Sequence, residues 1–490
     1  MRAGSSGWGC HGGRVGRDHR VVTRLGRFVG AVLTVALAAC SPHPAGTAAD
    51  PEIGRGIGDP YFPTDGNVGY DVEHYDLQLS YQPGDDDLDG TATIRLAATQ
   101  RLTGFSFDFG LDASSVTVDG RPATFSKKDA KLVVTPPEPL AERQRATVAV
   151  RYHGTPSEVR VNGEKIWKTN RDGAVSVSEP HYATAWFPCN DHPLDKATYD
   201  VAVTVPDGTQ ALSNGLFLGS SPADGGRTRW SWRGTHPQAS YLAFLAIGHY
   251  EIDNGTTPEG RPIIIAYDRR LSSEVRAAAQ ASVSRTHEVV TWASSLFGPY
   301  PFEAEGAVVA ADEEEDAEEF QTRPVYLGGE FATGPDMNVV VHENAHQWFG
   351  DTVSPHGWRD IWLNEGFATY AEWMWSEHTG QATARDLAAK AYRAHSADDD
   401  YWLLAPGDPG ADRLLDRPVY TRGAMTLQAL RDAVGDDAFF TILRTWVSEH
   451  RYANGTTEQF VELAERVSGK SLKALFQAWL FTKERPAVSS

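Results

Sequence analysis

Apolar and polar side chains largely alternate along the first half of the chain, which predicts β-strands. The alternation is clear in Val72–Tyr81, Gly90–Leu96 and Ala146–Tyr152. Clusters of turn-forming residues such as Pro206-Asp207-Gly208 separate such segments. Many short strands joined by turns are typical of a sheet-rich sandwich. Residues 61–250 are therefore predicted to form an N-terminal β domain.

The pattern changes after about residue 250, where longer segments with helical periodicity follow. Ile263–Tyr267 is a continuous apolar run that predicts a buried strand. Ser272–Phe297 is predicted as one long helix, and Leu363–His378 as another. Residues 251–490 are therefore predicted to form a second domain that mixes α and β elements.

A further helix is predicted around His342, because Asp336 can cap its start and Gly350 can close its end. Val339-Val340-Val341 favours a strand by propensity, and the spacing of the two histidines at positions 342 and 346 outweighs it. Residues four apart on a helix lie on one face. The helical prediction therefore makes His342 and His346 neighbours.

These residues form an H-E-x-x-H motif, with Glu365 following after 18 intervening residues. His342 and His346 can bind one metal ion, and Glu365 is the natural third ligand. Two imidazoles and one carboxylate leave a position open for water, which is typical of catalytic zinc. Glu343 would then accept a proton from that water. One Zn²⁺ per chain is the predicted cofactor; the alternative is two histidines on an ordinary helix.

The formal net charge of -20 argues against a nucleic acid or an anionic membrane surface as a partner. The first residues differ from the rest, because several arginines precede the apolar run Phe28–Ala39. This is the pattern of a signal peptide over residues 1–39, too short to span a bilayer. Residues 40–60 are rich in Pro, Gly and Ala and are predicted to be a flexible tether.

Leu37-Ala38-Ala39-Cys40 resembles a bacterial lipobox. The resemblance implies cleavage before Cys40 and lipidation of its thiol. It places the protein on the extracellular face of the bacterial cell membrane, held by a lipid anchor. The alternative is a plain secretory signal with an incidental cysteine, which gives a secreted protein.

Several segments together resemble the zinc aminopeptidase N family of the gluzincins. The resemblance covers about residues 70–486 and is carried by His342–Asp351, Trp362–Ala368, Trp186–Pro193, Val419–Ala424 and Phe476–Leu480. It implies a multidomain α+β fold, with a β-sandwich-like saddle domain followed by a thermolysin-like α+β catalytic domain. Larger family members continue into a helical domain, so this chain resembles a short form with a more open cleft.

The resemblance also implies roles for individual side chains. Tyr420 matches the tyrosine whose hydroxyl stabilises the oxyanion, and Glu179 matches a residue that binds the free α-amine of the substrate. The Gly-Ala-Met-Glu-Asn motif of the family is altered here. Glu319 takes the place of its amine-binding glutamate, whereas Glu318 replaces an apolar residue and Phe320 replaces the asparagine.

These features predict a zinc-dependent aminopeptidase that removes the N-terminal residue from peptides. Its partners would be peptides with a free N-terminus, because two carboxylates at the end of a cleft favour a cation there. One alternative is a non-catalytic surface module that keeps the fold but only binds. Another is a different zinc hydrolase on the same scaffold, either an endopeptidase or an epoxide hydrolase.

Overall fold

The fold is described from a computed structural model, which covers residues 53–161 and 163–487. The predicted signal peptide, Cys40 and most of the predicted tether lie outside these residues. Within them, no helix combines the length and the apolar character needed to cross a membrane. The described end of the tether differs from the prediction, because Asp59 is buried and its carboxylate accepts a hydrogen bond from the Trp358 N–H at 3.0 Å. This end is packed against the body of the protein.

The first half of the chain is built from strands, as the alternating pattern predicts. Its central sheet has eight strands in the order β15-β16-β13-β1-β2-β8-β4-β5, flanked by smaller sheets. The strands are β1 Tyr70–Gln82, β2 Asp87–Ala98, β3 Phe105–Asp108, β4 Asp112–Val118, β5 Arg121–Pro122, β6 Thr124–Lys128, β7 Lys131–Thr135, β8 Arg145–Gly154, β9 Arg160–Val161, β10 Glu164–Lys165, β11 Trp167–Asn170, β12 Gly173–Ser176, β13 Lys196–Pro206, β14 Gln210–Leu212, β15 Leu216–Ala223, β16 Arg227–Ala239 and β17 Ala246–Gly248.

The second half mixes a sheet with helices. A five-stranded sheet has the order β18-β19-β20-β22-β21. The strands of this sheet are β18 Tyr250–Thr256, β19 Pro262–Asp268, β20 Glu305–Ala310, β21 Ala317–Glu318 and β22 Val325–Leu327, and β23 Val353–Pro355 pairs with β24 Ala453–Gly455 in a separate two-stranded sheet. The helices are α1 Ser273–Val283, α2 Thr286–Phe297, α3 Met337–Ala345, α4 Trp362–His378, α5 Ala384–Arg393, α6 Arg417–Val434, α7 Asp436–Glu449, α8 Thr457–Ser468 and α9 Lys473–Phe476, with a π-helical turn at Gln477–Phe481.

The five-stranded sheet separates two hydrophobic cores. Along β19, Ile264 and Ala266 pack into the core of the N-terminal strands, whereas Ile265 and Tyr267 pack into the core of the helices. Successive side chains of a strand point to opposite faces, so both faces of this sheet are covered. That is why the segment is a continuous apolar run rather than an alternating one.

Two predicted helices differ from the structure. The segment predicted as one helix over Ser272–Phe297 is two helices, α1 and α2, and at the break the Thr286 hydroxyl donates to the Val283 carbonyl at 2.8 Å. Asp336 caps α3 as predicted, since its carboxylate accepts from two backbone N–H groups. However, α3 ends at Ala345 and not near Gly350.

Two glycines allow α4 and α6 to cross closely. A Cβ atom added to Gly423 on α6 would lie 2.8 Å from the Gly366 Cα on α4. Such a distance is too short for a carbon–carbon contact, so neither position accepts a larger residue without moving a helix. Glu365 lies next to this contact on α4, and Tyr420 lies one turn away on α6. The glycine contact therefore sets the distance between two predicted site residues.

We expect Gly423→Ala to lower the free energy of unfolding by about 1–3 kcal/mol, the usual cost of overpacking a close contact. Thermal and urea unfolding would measure the change. Gly255→Ala in β18 is the matched control, because its added Cβ would lie 3.7 Å from Ile263, an ordinary contact distance. Equal stability of the two variants would contradict this account of the helix crossing.

Candidate metal centre

Helices α3 and α4 bring the three predicted metal ligands together. The Nε2 atom of His342 lies 3.2 Å from the Glu365 Oε2 atom, and the Nε2 atom of His346 lies 3.6 Å from the same oxygen. All three side chains offer ligand atoms within 4.8 Å of one another. The convergence follows from the four-residue spacing on α3 and from the packing of α4 against it.

The donor set fits zinc. A tetrahedral ion with bonds of about 2.0–2.2 Å separates its ligand atoms by roughly 3.3–3.6 Å. The two distances to Glu365 match this separation. Burial opposes the charged form of Glu365, but His346 and His342 outweigh it and lower its pKa to about 2. An ionised carboxylate is the form that binds zinc.

Two further contacts orient the imidazoles, and the sequence analysis missed both. The Nδ1 atom of His342 lies 2.7 Å from the Glu372 Oε1 atom, and the Nδ1 atom of His346 lies 3.0 Å from the Phe349 carbonyl oxygen. A proton held on Nδ1 by these acceptors leaves the Nε2 lone pair for a metal. Glu372 follows Glu365 by seven residues on the same helix, and that spacing was the available signal.

Glu343 lies beside the ligands in a buried position. Its carboxylate forms a second group with Glu319 and His346, whose potential ligand atoms all lie within 4.8 Å of one another. Burial and the carboxylates of Glu319 and Glu365 raise the pKa of Glu343 to about 8, against the opposing effect of the two histidines. The carboxylates around Glu343 therefore favour the binding of a cation nearby.

Glu179 and Glu319 meet at the same place, although 139 residues separate them in the chain. Their carboxylate oxygens and one of Glu365 lie within 4.8 Å of one another. The Oε1 atoms of Glu179 and Glu319 are buried and make no hydrogen bond within the described part of the protein. Burial and mutual repulsion raise the pKa of Glu179 well above its usual range. A cationic ligand would relieve both effects.

Hydrogen bonds from the side chain of Gln347, in the metal-binding segment, hold the main chain around Glu319. Gln347, which directly follows His346, donates from Nε2 to the Glu319 carbonyl oxygen at 3.0 Å. Its Oε1 atom accepts from the Thr322 N–H at 2.8 Å. The segment after β21 is therefore fixed relative to α3, and the predicted alignment of Glu319 with the site agrees with this geometry.

Tyr420 also lies beside the predicted metal ligands. Its ring stacks on the His342 imidazole, with centroids 5.9 Å apart and planes inclined by 25°. Burial, together with Glu365 and Glu179, raises the pKa of Tyr420 well above its usual range, so its hydroxyl keeps its proton. A cavity of about 520 Å³ adjoins both Tyr420 and Glu179. The cavity provides space for a ligand next to the predicted metal site.

Comparison with known proteins agrees with this geometry. The Peptidase M1 N-terminal domain matches residues 71–242, and the Peptidase family M1 domain matches residues 334–479. The crystal structure of an M1 zinc metallopeptidase from Deinococcus radiodurans is 30% identical, with a TM-score of 0.80. The match covers 88% of this chain and 99% of that one. This chain belongs to the M1 peptidase family.

Membership of the M1 family confirms the predicted resemblance and the fold class, a β-rich domain followed by a mixed catalytic domain. The M1 metallopeptidases that it resembles are zinc proteins, which supports one Zn²⁺ as the cofactor. Relatives include Aminopeptidase M1-D of Oryza sativa subsp. japonica, 26% identical over 80% of this chain, and Aminopeptidase N of Streptomyces lividans, 28% identical over 60%. These matches cover 47% and 36% of the relatives, so the chain spans half or less of their length.

We expect Glu372→Gln to weaken zinc binding by about 10–100-fold, because the His342 imidazole loses its charged acceptor. Competition with a chromophoric chelator would measure the affinity. Glu377→Gln is the matched control on the same helix, since Glu377 pairs with Arg431 and not with a metal ligand. An unchanged zinc affinity in Glu372→Gln would show that this contact does not support the site.

Proposed function

We propose that this M1 family member is a zinc-dependent aminopeptidase that removes the N-terminal residue from peptides. The observation that carries the proposal is the pair of buried, unpartnered carboxylate oxygens on Glu179 and Glu319 beside the predicted ligands. A peptide's free α-ammonium group would satisfy both. An endopeptidase has no use for such a pair, since its substrates present no charged amine near the cleaved bond.

In this proposal, binding of the amine fixes which peptide bond is cleaved. Glu179 and Glu319 hold the ammonium group, so the first carbonyl of the peptide lies near His342, His346 and Glu365. A bound amine therefore converts general peptide hydrolysis into the removal of one residue at a time. Fixing the reacting groups in this way contributes to the rate by proximity and orientation.

His342, His346 and Glu365 would hold the zinc ion, which supplies Lewis acidity for activating water and polarising the substrate carbonyl. Glu343 would act as general base, because its carboxylate accepts the proton of the attacking water. It would then pass that proton to the nitrogen of the leaving amine. Its buried place beside His346 keeps this proton within the site.

Tyr420 would donate its hydroxyl proton in a hydrogen bond to the oxyanion that develops on the carbonyl oxygen. Such a donor stabilises the transition state more than the ground state. The stacking of its ring on His342 holds the side chain next to the metal ligands.

Relatives and structural neighbours support this proposal. Several relatives are aminopeptidases by name. A mutant structure of a two-domain M1 zinc metallopeptidase contains bound L-arginine, and one of the M1 zinc metallopeptidase from Deinococcus radiodurans contains a Tyr-Ser-Ala substrate. These ligands carry a free amino group, which is the group that the proposed anchors would bind.

Matched fluorogenic substrates with a free and with an acetylated N-terminus test the proposal. We expect cleavage of the free-amine series only, with loss of activity on adding a chelator and recovery on adding zinc. Cleavage of the acetylated series would indicate an endopeptidase. Peptide binding without cleavage would indicate a non-catalytic module, and hydrolysis of epoxides alone would indicate an epoxide hydrolase.

We expect Tyr420→Phe to lower kcat by about two to three orders of magnitude, the cost of losing one oxyanion donor. Steady-state kinetics on a free-amine substrate would measure it, with zinc content checked in parallel. Tyr401→Phe is the matched control, because the Tyr401 hydroxyl bonds to Thr421. A kcat within error of the unmodified enzyme would contradict the role of Tyr420.

The lipid anchor is a separate proposal based on Leu37-Ala38-Ala39-Cys40. We expect Cys40→Ser to move the protein from the membrane fraction to the soluble fraction and to abolish labelling by an alkynyl fatty acid. Cys10→Ser is the control, because Cys10 lies in the segment that signal cleavage removes. Continued membrane association of Cys40→Ser would contradict lipidation at this position.

A further inference from the structure

The loop that carries Glu179 is held largely through its main chain. Ser178 is fully buried, its N–H donates to the Glu318 Oε2 atom at 3.0 Å, and its hydroxyl donates to the Ala243 carbonyl at 2.9 Å. The Tyr182 N–H donates to the Ser178 carbonyl at 2.9 Å. The Glu318 carboxyl group therefore holds the backbone of this loop at Ser178, the residue before Glu179.

Glu318 is well placed for this contact. It lies at the end of β21, the edge strand that pairs with β22, and it is only 8% exposed. Successive residues of an extended segment point to opposite sides. The Glu318 side chain accordingly reaches the loop of the N-terminal domain, whereas that of Glu319 reaches the metal centre.

Phe320 supports the same part of the N-terminal domain. Its ring stacks on Phe244, with centroids 5.1 Å apart and planes inclined by 27°. Phe244 follows Ala243, the residue whose carbonyl accepts from Ser178. The two residues that depart from the family's motif, Glu318 and Phe320, thus both contact the structure around the Glu179 loop.

A continuous set of contacts runs from the metal-binding segment to this loop. Gln347 follows His346 and holds the carbonyl of Glu319, and Glu319 is joined by a peptide bond to Glu318. Glu318 in turn holds the backbone around Glu179. The side chain at position 318 therefore contributes directly to the distance between the two carboxylates at positions 179 and 319.

We propose that Glu318 is a positioning residue that fixes Glu179 relative to Glu319 and the metal ligands. The inference rests on the proposed function, in which Glu179 binds the substrate's amine. Glu318 itself touches no reacting atom. Its effect is on the affinity for a free N-terminus, because a displaced Glu179 would bind the ammonium group less well.

The variants separate the hydrogen bond from the negative charge. Glu318→Leu and Glu318→Ala remove the acceptor, whereas Glu318→Gln keeps an oxygen that can accept. Burial and the nearby Asp316 raise the pKa of Glu318 well above its usual range, so a neutral acceptor is a close substitute. Glu313→Gln is the control, since Glu313 is an exposed member of the same acidic segment.

Hydrogen exchange of the zinc-loaded protein without substrate tests the contact directly. We expect the backbone amide of Ser178 to exchange at least about tenfold faster in Glu318→Leu and Glu318→Ala, because its buried hydrogen bond to Glu318 is lost. Glu318→Gln and Glu313→Gln should exchange like the unmodified protein. Unchanged exchange in both disruptive variants would overturn the proposal.

Kinetics on a free-amine substrate test the consequence. We expect the two disruptive variants to raise KM at least about tenfold while kcat changes less than about threefold, since ground-state binding of the amine is weakened. Glu318→Gln should restore KM, and zinc content should be equal in all variants. A KM that stays unchanged, or a loss confined to kcat, would overturn the positioning role.

The two proposals fail in different ways. If the unmodified protein cleaves acetylated and free substrates equally, the function proposed above is wrong, and the role of Glu318 in amine binding falls with it. The exchange experiment would still report on the loop contact. If the unmodified protein requires a free amine and the disruptive variants keep its KM, only the role of Glu318 is wrong.

Discussion

Buried negative charge at one point is the constraint on which the structure of this site depends. The carboxylates of Glu179, Glu319 and Glu365 offer oxygens within 4.8 Å of one another, and that of Glu343 lies within the same distance of Glu319 and His346. Carboxylates in such a place repel one another and lose hydration, which is costly unless cations compensate. In the proposed function, a divalent metal at the histidines and an ammonium group at Glu179 and Glu319 would supply that compensation.

The carboxylates are brought together because two domains pack against opposite faces of one sheet. One face of the sheet formed by β18 to β22 belongs to the core of the N-terminal strands, and the other belongs to the core of the helices. The edge strand β21 therefore lies where the two cores meet. Residues just after it reach the metal ligands, and Glu179 approaches from the N-terminal domain. The packing of both domains against this sheet holds the carboxylates of Glu179 and Glu319 together despite their mutual repulsion.

The sequence predicted the parts of the site that local periodicity determines. His342 and His346 are four residues apart on one helix, and α4, which carries Glu365, matches its predicted bounds within one residue. Contacts between distant segments could not be derived in this way. The meeting of Glu179 with Glu319, and the contact of Glu372 with His342, depend on tertiary packing. The break between α1 and α2 was missed because no Gly or Pro marks it in the sequence.

The altered motif around Glu319 illustrates the limit of comparing residues one by one. By sequence, Glu318 and Phe320 depart from a motif whose glutamate the resemblance associates with amine binding. In the structure, Glu318 bonds to the loop of Glu179 and Phe320 stacks on Phe244. The two departures therefore add contacts to the N-terminal domain. The proposed amine binding therefore depends on whether the carboxylates of Glu179 and Glu319 remain in place. Glu318 holds the loop before Glu179, and Gln347 holds the main chain of Glu319.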